Sequence, residues 1–147
     1  MKRRSEFERQ EPGDMTTTEI DNTEQVKQIF EAFGRGNVGY ILDQLANNVR
    51  FVSHLDPVVP WAGEFKGKEE VLRYFQALGG SVEVTGHPVN ALIAQGDTVV
   101  AMGDVSFQVR ETGKPASSSW VYIFKLEDGH VQSFDQFNDA GLAGAFD

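Results

Sequence analysis

The sequence contains no cysteine, has an excess of acidic over basic residues, and lacks any long hydrophobic run. The absence of cysteine excludes a disulfide framework, a thiolate nucleophile and a zinc–thiolate site. The formal net charge of -9 argues against nucleic acid and anionic membranes as partners, because both attract basic surfaces. No apolar run approaches the roughly 20 residues of a membrane span. Residues 1–4 are basic but no apolar segment follows, so no signal peptide is predicted and a cytoplasmic location is expected.

The most regular feature of the chain is a ribbon of three strands joined by two tight turns. Its strands are predicted at residues 98–110, 117–126 and 131–137. Apolar and polar residues alternate in the first strand, which indicates one buried face and one face partly in water. The middle strand is apolar on both faces, which favours a central position in a sheet. Trp120, Tyr122, Phe124 and Leu126 share one of these faces, so this face covers either the core or a binding site.

The N-terminal part of the chain is polar and of mixed charge. Residues 1–21 are almost free of aliphatic side chains, which predicts a disordered or loosely attached segment before a single domain at residues 22–147. Met15 is an alternative start of the protein. Thr23 is expected to be the N-cap of a first helix that ends at the glycine-rich stretch beginning with Gly34.

The segments between this helix and the ribbon follow in a clear order. They are a short helix at residues 38–45, a strand at 49–53, an irregular loop at 55–67, a helix from residue 68 that stops at Gly79 and Gly80, and a bent strand at 82–93. The loop carries prolines and glycines, so neither helix nor regular sheet is predicted there. Helices collected on one side of a mostly antiparallel sheet give an α+β fold.

Several short motifs stand in a specific order along the chain. They are IFEAFGRGN at residues 29–37, LANNV at 45–49, PWAGEFKGKEEV at 60–71, GDTV at 96–99, TGKP at 112–115, residues 120–131, and the tail DAGLAGAF at 139–146. With the order of elements, they resemble the SnoaL-like and ketosteroid-isomerase-like branch of the nuclear transport factor 2-like superfamily. The resemblance covers the chain from Thr23 to its end.

The resemblance implies an α+β fold of the cystatin-like, nuclear transport factor 2-like type. In this fold a strongly curved, mixed, mostly antiparallel sheet is wrapped by three helices into a cone with an internal pocket. It also implies a homodimer formed through the outer face of the sheet and a small apolar molecule as ligand. No spacing of histidine and acidic residues resembles a metal site, and no metal or cofactor is expected.

The catalytic positions of known family members hold different residues in this chain. The isomerases use an oxyanion-binding tyrosine, an aspartate base and a protonated aspartic acid. The matching positions here are Ile29, Ser53 and Tyr122. The related limonene epoxide hydrolases use an arginine and an aspartate where this chain has Gly103 and Val105. Neither mechanism is therefore expected.

Tyr122 is the first candidate site residue, because its phenol can donate a hydrogen bond to a ligand carbonyl. It can equally be a core tyrosine whose hydroxyl reaches a neighbour. Trp120 and Phe124 are candidates for the pocket wall or for the core. His54 and Asp56 follow the first strand, where a His–Asp pair can act as general base and orienter. Asp56 before a proline is also a common turn opener.

The last strand offers neutral polar candidates. Phe134, Gln136 and Asn138 share one face and are predicted to line the pocket. Asp135 then faces outward, although the polyketide cyclases of the family use an acidic residue on late strands. A shift of the register by one residue would exchange the two faces.

Three more residues complete the predicted site. Ser53 and Phe107 are predicted to contact the ligand. Trp61 is either a lid over the pocket or an anchor of its loop against Phe65. His87 lies in a bend and is predicted to be solvated.

Two functions remain open on the sequence alone. The first is an acid–base enzyme acting on an apolar ring compound, with Tyr122 as donor and His54 or Asp56 as proton acceptor. The second is a non-catalytic ligand-binding module or dimeric scaffold. An ionisable side chain that points into the cone would distinguish the first from the second. His130, beside a hairpin turn, is predicted to be solvated.

Overall fold

The computed structural model describes residues 14–147, so residues 1–13 of the predicted loose segment lie outside the described part. The helices are α1 (Thr17–Gly34), α2 (Val38–Asp43), α3 (Gly67–Ser81) and α4 (Ala140–Gly144). The strands are β1 (Leu45–Ser53), β2 (Gly63–Lys66), β3 (Val82–Gly86), β4 (Val89–Gln95), β5 (Thr98–Val109), β6 (Pro115–Glu127) and β7 (His130–Asn138). The predicted α+β class and the three-stranded ribbon β5–β6–β7 are confirmed.

The seven described strands form one curved, mixed sheet. Their order is β2-β1-β7-β6-β5-β3, and β4 pairs with β5 on the same side as β3. Every pair is antiparallel except β1 with β7, which run parallel. The parallel pair places Ser53, at the end of β1, beside Gln136 of β7. Two polar residues far apart in sequence are thereby brought together at one end of the sheet.

The first helix begins earlier than predicted. Thr16, not Thr23, is the N-cap: its side chain accepts a hydrogen bond from the Glu19 N–H, and the Glu19 carboxylate accepts one from the Thr16 N–H. This capping box is a strong helix start even without a preceding apolar stripe. The buried Glu19 carboxylate also accepts a hydrogen bond from the Gly96 N–H at 2.6 Å, which ties the helix to the β4–β5 turn. Helix α1 therefore begins before residue 22, where the domain is predicted to start.

Other boundaries also differ from the prediction, and the first of these is β1, which begins at Leu45 and not at residue 49. The loop at residues 55–67 is not wholly irregular, because β2 pairs with β1 there. Helix α3 continues through Gly79 and Gly80, and Arg110 stabilises its end by donating to the carbonyl oxygens of Gly79 and Ser81. The predicted bent strand is two strands, β3 and β4, that pair with successive parts of β5.

The hydrophobic core lies between the sheet and the helices. It includes Val26 and Ile29 of α1, Val71 of α3, and the inward side chains of the strands, such as Val99 and Phe124. The short helix α4, which the sequence did not predict as an element, closes one end of this core. None of the helices at residues 14–147 combines the length and apolar character needed to cross a membrane.

Candidate functional site

A cavity lies between helices α1 and α3 and the inner face of the sheet. The space open to the centre of a water-sized sphere is about 80 Å³. Its wall is mainly aliphatic and aromatic, and none of its lining residues carries a charge at neutral pH. The polar groups in the wall are Tyr74, His87, Tyr122, Gln136 and Asn138. An apolar cavity with a few convergent polar groups is the usual form of a small-molecule site.

Tyr122 and His87 form one polar centre of the cavity. Tyr122 points inward from β6, and its Oη lies 3.1 Å from Nε2 of His87. Burial raises the pKa of Tyr122, and the nearby Tyr74 raises it further, so the phenol keeps its proton. Burial lowers the pKa of His87 to about 4, against the effect of a backbone hydrogen bond. At neutral pH the pair is therefore a phenol and an uncharged imidazole.

The surroundings of His87 explain why the prediction of a solvated side chain is wrong. The imidazole stacks on Trp120 with ring centroids 4.7 Å apart and an interplanar angle of 12°. It also contacts Phe33 of α1 at 5.1 Å. Trp120 itself stacks on Tyr122 at 4.0 Å, and the rings of His87 and Tyr122 lie 5.9 Å apart, so the three rings form one aromatic cluster. This aromatic cluster leaves His87 only partly exposed.

Gly103 on β5 makes room for this aromatic cluster. A Cβ at this position would lie 2.5 Å from Cζ2 of Trp120 and would also collide with the carbonyl oxygen of Pro88. The same carbonyl accepts a hydrogen bond from the Asp104 N–H at 3.1 Å, which holds the bend between β3 and β4 against β5. His87 lies in this bend. Because Gly103 has no side chain opposite the bend, the histidine can turn inward. The sequence offered a weak signal for this arrangement, a glycine within an otherwise regular strand.

A second polar centre lies around Gln136. Its amide oxygen accepts hydrogen bonds from Tyr74 Oη at 2.6 Å and from Ser53 Oγ at 3.4 Å. Its amide nitrogen donates to Asn138 Oδ1 at 2.8 Å. Burial raises the pKa of Tyr74, so this hydroxyl also keeps its proton. Tyr74 was not among the predicted site residues, because the sequence does not show which face of α3 meets the cavity.

The structure places most of the predicted binding residues in the cavity wall. The wall contains Trp61, Phe107, Tyr122, Phe124, Phe134, Gln136 and Asn138. Trp61 packs edge-on against Phe146 at 5.5 Å, not against Phe65. Ser53 and Trp120 are buried directly behind the wall, and the indole N–H of Trp120 has no hydrogen-bond partner within residues 14–147. The ligand-binding roles of all these predicted residues stay predictions.

His54 and Asp56 lie away from the cavity, so the predicted base at its mouth is not there. His54 Nε2 contacts Asp135 Oδ1 at 2.7 Å on the outer face of the sheet, and its ring stacks on Phe137 at 4.4 Å. The exposed Asp56 accepts a hydrogen bond from the Val58 N–H at 2.9 Å and so forms a turn. Residues two apart in a loop did not converge here. Asp135 faces outward, as the alternation of β7 predicted.

The described residues offer no obvious metal site. No three histidine or acidic side chains within residues 14–147 lie close enough together to hold an ion. His130 is exposed, and its Nδ1 lies 3.1 Å from the carbonyl oxygen of Asp128. The groups available for chemistry in the cavity are thus hydroxyls, amides and one imidazole, which suit hydrogen bonding and proton transfer.

Comparison with solved structures identifies the fold. An NTF2-like (nuclear transport factor 2-like) protein from Burkholderia xenovorans is 26% identical, with a TM-score of 0.77 over 86% of this chain and 96% of that one. A Mesorhizobium loti protein provisionally named a SnoaL-like polyketide cyclase is 18% identical, with a TM-score of 0.65 over 84% of this chain and 99% of that one. TerC, co-crystallised with polyporic acid, is 18% identical, with a TM-score of 0.72 over 86% and 97%. These structures show the predicted nuclear transport factor 2-like fold.

The sequence comparisons define the family. No curated protein matches this chain. Residues 26–134, which include the second half of α1, the whole of β5 and β6, and the Tyr122–His87 pair, match the SnoaL-like domain. Because this match spans well over half of the sequence, the chain belongs to the SnoaL-like domain family.

Proposed function

We propose that the protein binds a small, uncharged ring compound in the cavity and exchanges a proton with it. Tyr122 is the hydrogen-bond donor and His87 the proton acceptor, the role that the sequence assigned to His54 or Asp56. The observation that carries this proposal is the 3.1 Å contact between Tyr122 Oη and His87 Nε2 inside a mainly hydrocarbon wall. Uncharged ligands are favoured because an ion would lose its hydration there without gaining a partner.

A ketone fits the chemistry of the pair. With the imidazole hydrogen on Nδ1, Tyr122 donates to His87 Nε2 in the free protein. A ligand carbonyl that takes over this hydrogen bond releases Nε2. The freed nitrogen accepts a proton from the carbon beside the carbonyl, the C–H electrons move into the enolate, and Tyr122 stabilises the oxygen. Return of the proton to carbon completes the reaction without an oxidant or reductant.

The size of the cavity favours a small ring. About 80 Å³ is less than the roughly 150 Å³ of an apolar cavity that holds benzene. A five- or six-membered ring therefore requires a wall side chain to move. Phe30 suits this, because it is only partly buried and also lines an open groove of about 420 Å³ between α1 and β4.

Two relatives support a ring compound as ligand. TerC has the same fold and was co-crystallised with polyporic acid. The Mesorhizobium loti protein carries the provisional name of a polyketide cyclase. At 18% identity each likeness establishes the fold alone, so the ligand of this chain rests on the geometry of its own cavity.

Cyclohexanone in D₂O tests the proposal. Binding is measured by the shift in melting temperature, and proton exchange by the loss of the NMR signal of the hydrogens beside the carbonyl. We expect stabilisation by the ketone and exchange above the rate in buffer. His87→Gln should lower the exchange rate roughly 10²-fold, and Tyr122→Phe should weaken both binding and exchange.

The matched controls are His54→Gln and Tyr40→Phe, which change the same residue types outside the cavity. Both should behave like the unaltered protein. Binding without exchange would leave the non-catalytic alternative, a ligand-binding module. The absence of binding by cyclohexanone and other small uncharged ring ketones would overturn the proposed function.

A homodimer through the outer face of the sheet is a second proposal. Ile93 and Phe137 are 54% and 41% exposed on this face. The strand register connects them through the partly buried Val100, Met102, Val121 and Ile123. A continuous apolar patch across four strands, rimmed by the charged Arg50, Glu64 and Asp135, is typical of a protein–protein interface. A second copy related by a two-fold axis would cover the patch with its own equivalent.

The molar mass in solution, measured by light scattering, tests the dimer. We expect a dimer for the unaltered protein and a monomer for the double variant Ile93→Glu, Phe137→Glu. Leu72→Glu, which places the same charge at an exposed residue of α3, should remain dimeric. A monomeric unaltered protein would contradict the proposal. The cytoplasmic location stays a prediction.

A further inference from the structure

The hydrogen bonds behind the cavity wall form a chain that runs in one direction, from Tyr74 to Ser119. The carbonyl oxygen of Ser119 can only accept, and Ser118 Oγ donates to it at 2.9 Å. Ser118 therefore accepts from Asn138 Nδ2 at 3.2 Å. This orients the Asn138 amide so that its oxygen accepts from Gln136 Nε2 at 2.8 Å. The amide oxygen of Gln136 is then left to accept from Tyr74 Oη at 2.6 Å.

This direction determines what Tyr74 can offer to a ligand. Its hydroxyl has a single hydrogen, and that hydrogen is committed to Gln136. Ser53 Oγ donates to the same amide oxygen at 3.4 Å, so two hydroxyl groups donate to this one oxygen. Tyr74 is buried and lies in the cavity wall. Towards the cavity it therefore presents only oxygen lone pairs, which accept hydrogen bonds.

We propose that the ligand is a cyclic ketone that also carries a hydroxyl group, and that Tyr74 selects it by accepting the hydroxyl hydrogen. The proposal rests on the proposed function, in which Tyr122 binds the carbonyl. Tyr122 and Gln136 are directly paired across β6 and β7, so the two polar centres lie on adjacent strands. The nearness of the two phenols also shows in the pKa of Tyr122, which Tyr74 helps to raise.

A methyl group of similar size in place of the hydroxyl has no hydrogen to give. Binding of the methyl compound would displace any water from the Tyr74 oxygen and leave its lone pairs without a hydrogen-bond donor, which costs free energy. Tyr74 is accordingly a specificity residue, and it discriminates between ligands that have the same shape and the same carbonyl.

Matched pairs of compounds test this selection. The probes are 3- and 4-hydroxycyclohexanone with 3- and 4-methylcyclohexanone, and dissociation constants are measured by NMR titration. For at least one ring position, the hydroxy compound should bind about three- to tenfold more tightly than its methyl partner. In Tyr74→Phe this preference should disappear, whereas Tyr40→Phe should retain it.

The outcomes separate this inference from the proposed function. Equal binding of hydroxy and methyl compounds at both positions would overturn the role of Tyr74. A preference that persists in Tyr74→Phe would overturn it as well, because another group would then be the acceptor. If none of the four compounds binds, and cyclohexanone does not bind either, the proposed function itself fails.

Discussion

On the outer face of the sheet, His54 stacks on an exposed phenylalanine and contacts the carboxylate of Asp135 at 2.7 Å. On the inner face, His87 stacks on the buried Trp120 and contacts the hydroxyl of Tyr122 at 3.1 Å. The outer histidine is exposed and has a charged partner, whereas the inner one is partly buried and has an uncharged partner. A short His–acid contact is therefore not by itself a catalytic pair, and a histidine with a neutral partner in a closed cavity is the stronger candidate.

The same contrast holds for the side chains around each histidine. The outer face carries the ion pairs of Arg50 with Glu64 and with Asp135, which water screens. The inner face replaces charges with a directed chain of hydroxyls and amides. Each buried polar group on the inner face depends on its hydrogen-bond partner, because an unpaired polar group is costly in a buried environment. Changes on the inner face should thus have larger effects than the same changes outside.

The largest effect is expected at Gly103, the glycine next to the aromatic cluster of His87, Trp120 and Tyr122. Gly103→Ala would drive a methyl group into Trp120 and the Pro88 carbonyl, and should lower the free energy of unfolding by about 3 kcal/mol. Gly79→Ala is the control, since its methyl group would meet nothing within 4 Å and alanine favours a helix. Urea denaturation measures both. A stable Gly103→Ala protein would show that the aromatic cluster is not tightly packed.

The next effect concerns pH. His87 titrates at about 4 in the folded protein but near 6.5 in the unfolded chain. As the pH falls from 6.5 to 4, the unfolded chain takes up a proton that the folded protein does not, so stability declines. His87 contributes at most about 3 kcal/mol to this decline, less where water reaches the ring.

Urea denaturation across this pH range checks the expectation. His87→Gln should lose this part of the pH dependence, whereas His54→Gln should retain it. If both variants follow the unaltered protein between pH 6.5 and 4, the two histidines do not differ in the way the structure indicates.

A pair of identical substitutions compares buried and exposed hydrogen bonds directly. Tyr74 and Tyr40 each donate to a glutamine side-chain oxygen, at 2.6 and 2.7 Å respectively, but the first bond is buried and the second exposed. Tyr74→Phe should cost about 1–2 kcal/mol of unfolding free energy, because the Gln136 oxygen loses its main donor. Tyr40→Phe should cost less than about 0.5 kcal/mol. Equal costs would contradict the proposed importance of the inner chain.

The smallest effect is expected for the outer histidine. His54→Gln should change the free energy of unfolding by less than about 1 kcal/mol at pH 7, because Asp135 keeps Arg50 as a partner at 3.6 Å. The effect should shrink further in high salt. A loss of several kcal/mol would contradict this expectation, because it would exceed what a solvent-exposed contact contributes.

Local patterns in the sequence predicted much of the fold. The alternation along β5, β6 and β7 assigned Phe124, Phe134 and Gln136 to the inner face and Asp135 to the outer one, since a strand has only two faces. The start of α1 was missed because charged and polar residues form its capping box, where an apolar stripe was expected. The sequence predicts that α3 ends at its glycines, but the helix continues to Ser81, where Arg110 from another part of the chain donates to its last carbonyl oxygens.

The sequence by itself determined the strands, their faces and the family, because these depend on periodicities within a few residues. Only the tertiary structure decided which histidine lies in the cavity. His87 turns inward because β5, β6 and α1 close around it, and contacts between residues so far apart leave no local pattern. The direction of the hydrogen bonds from Tyr74 to Ser119 was decided in the same way, since it requires α3, β6 and β7 to be assembled.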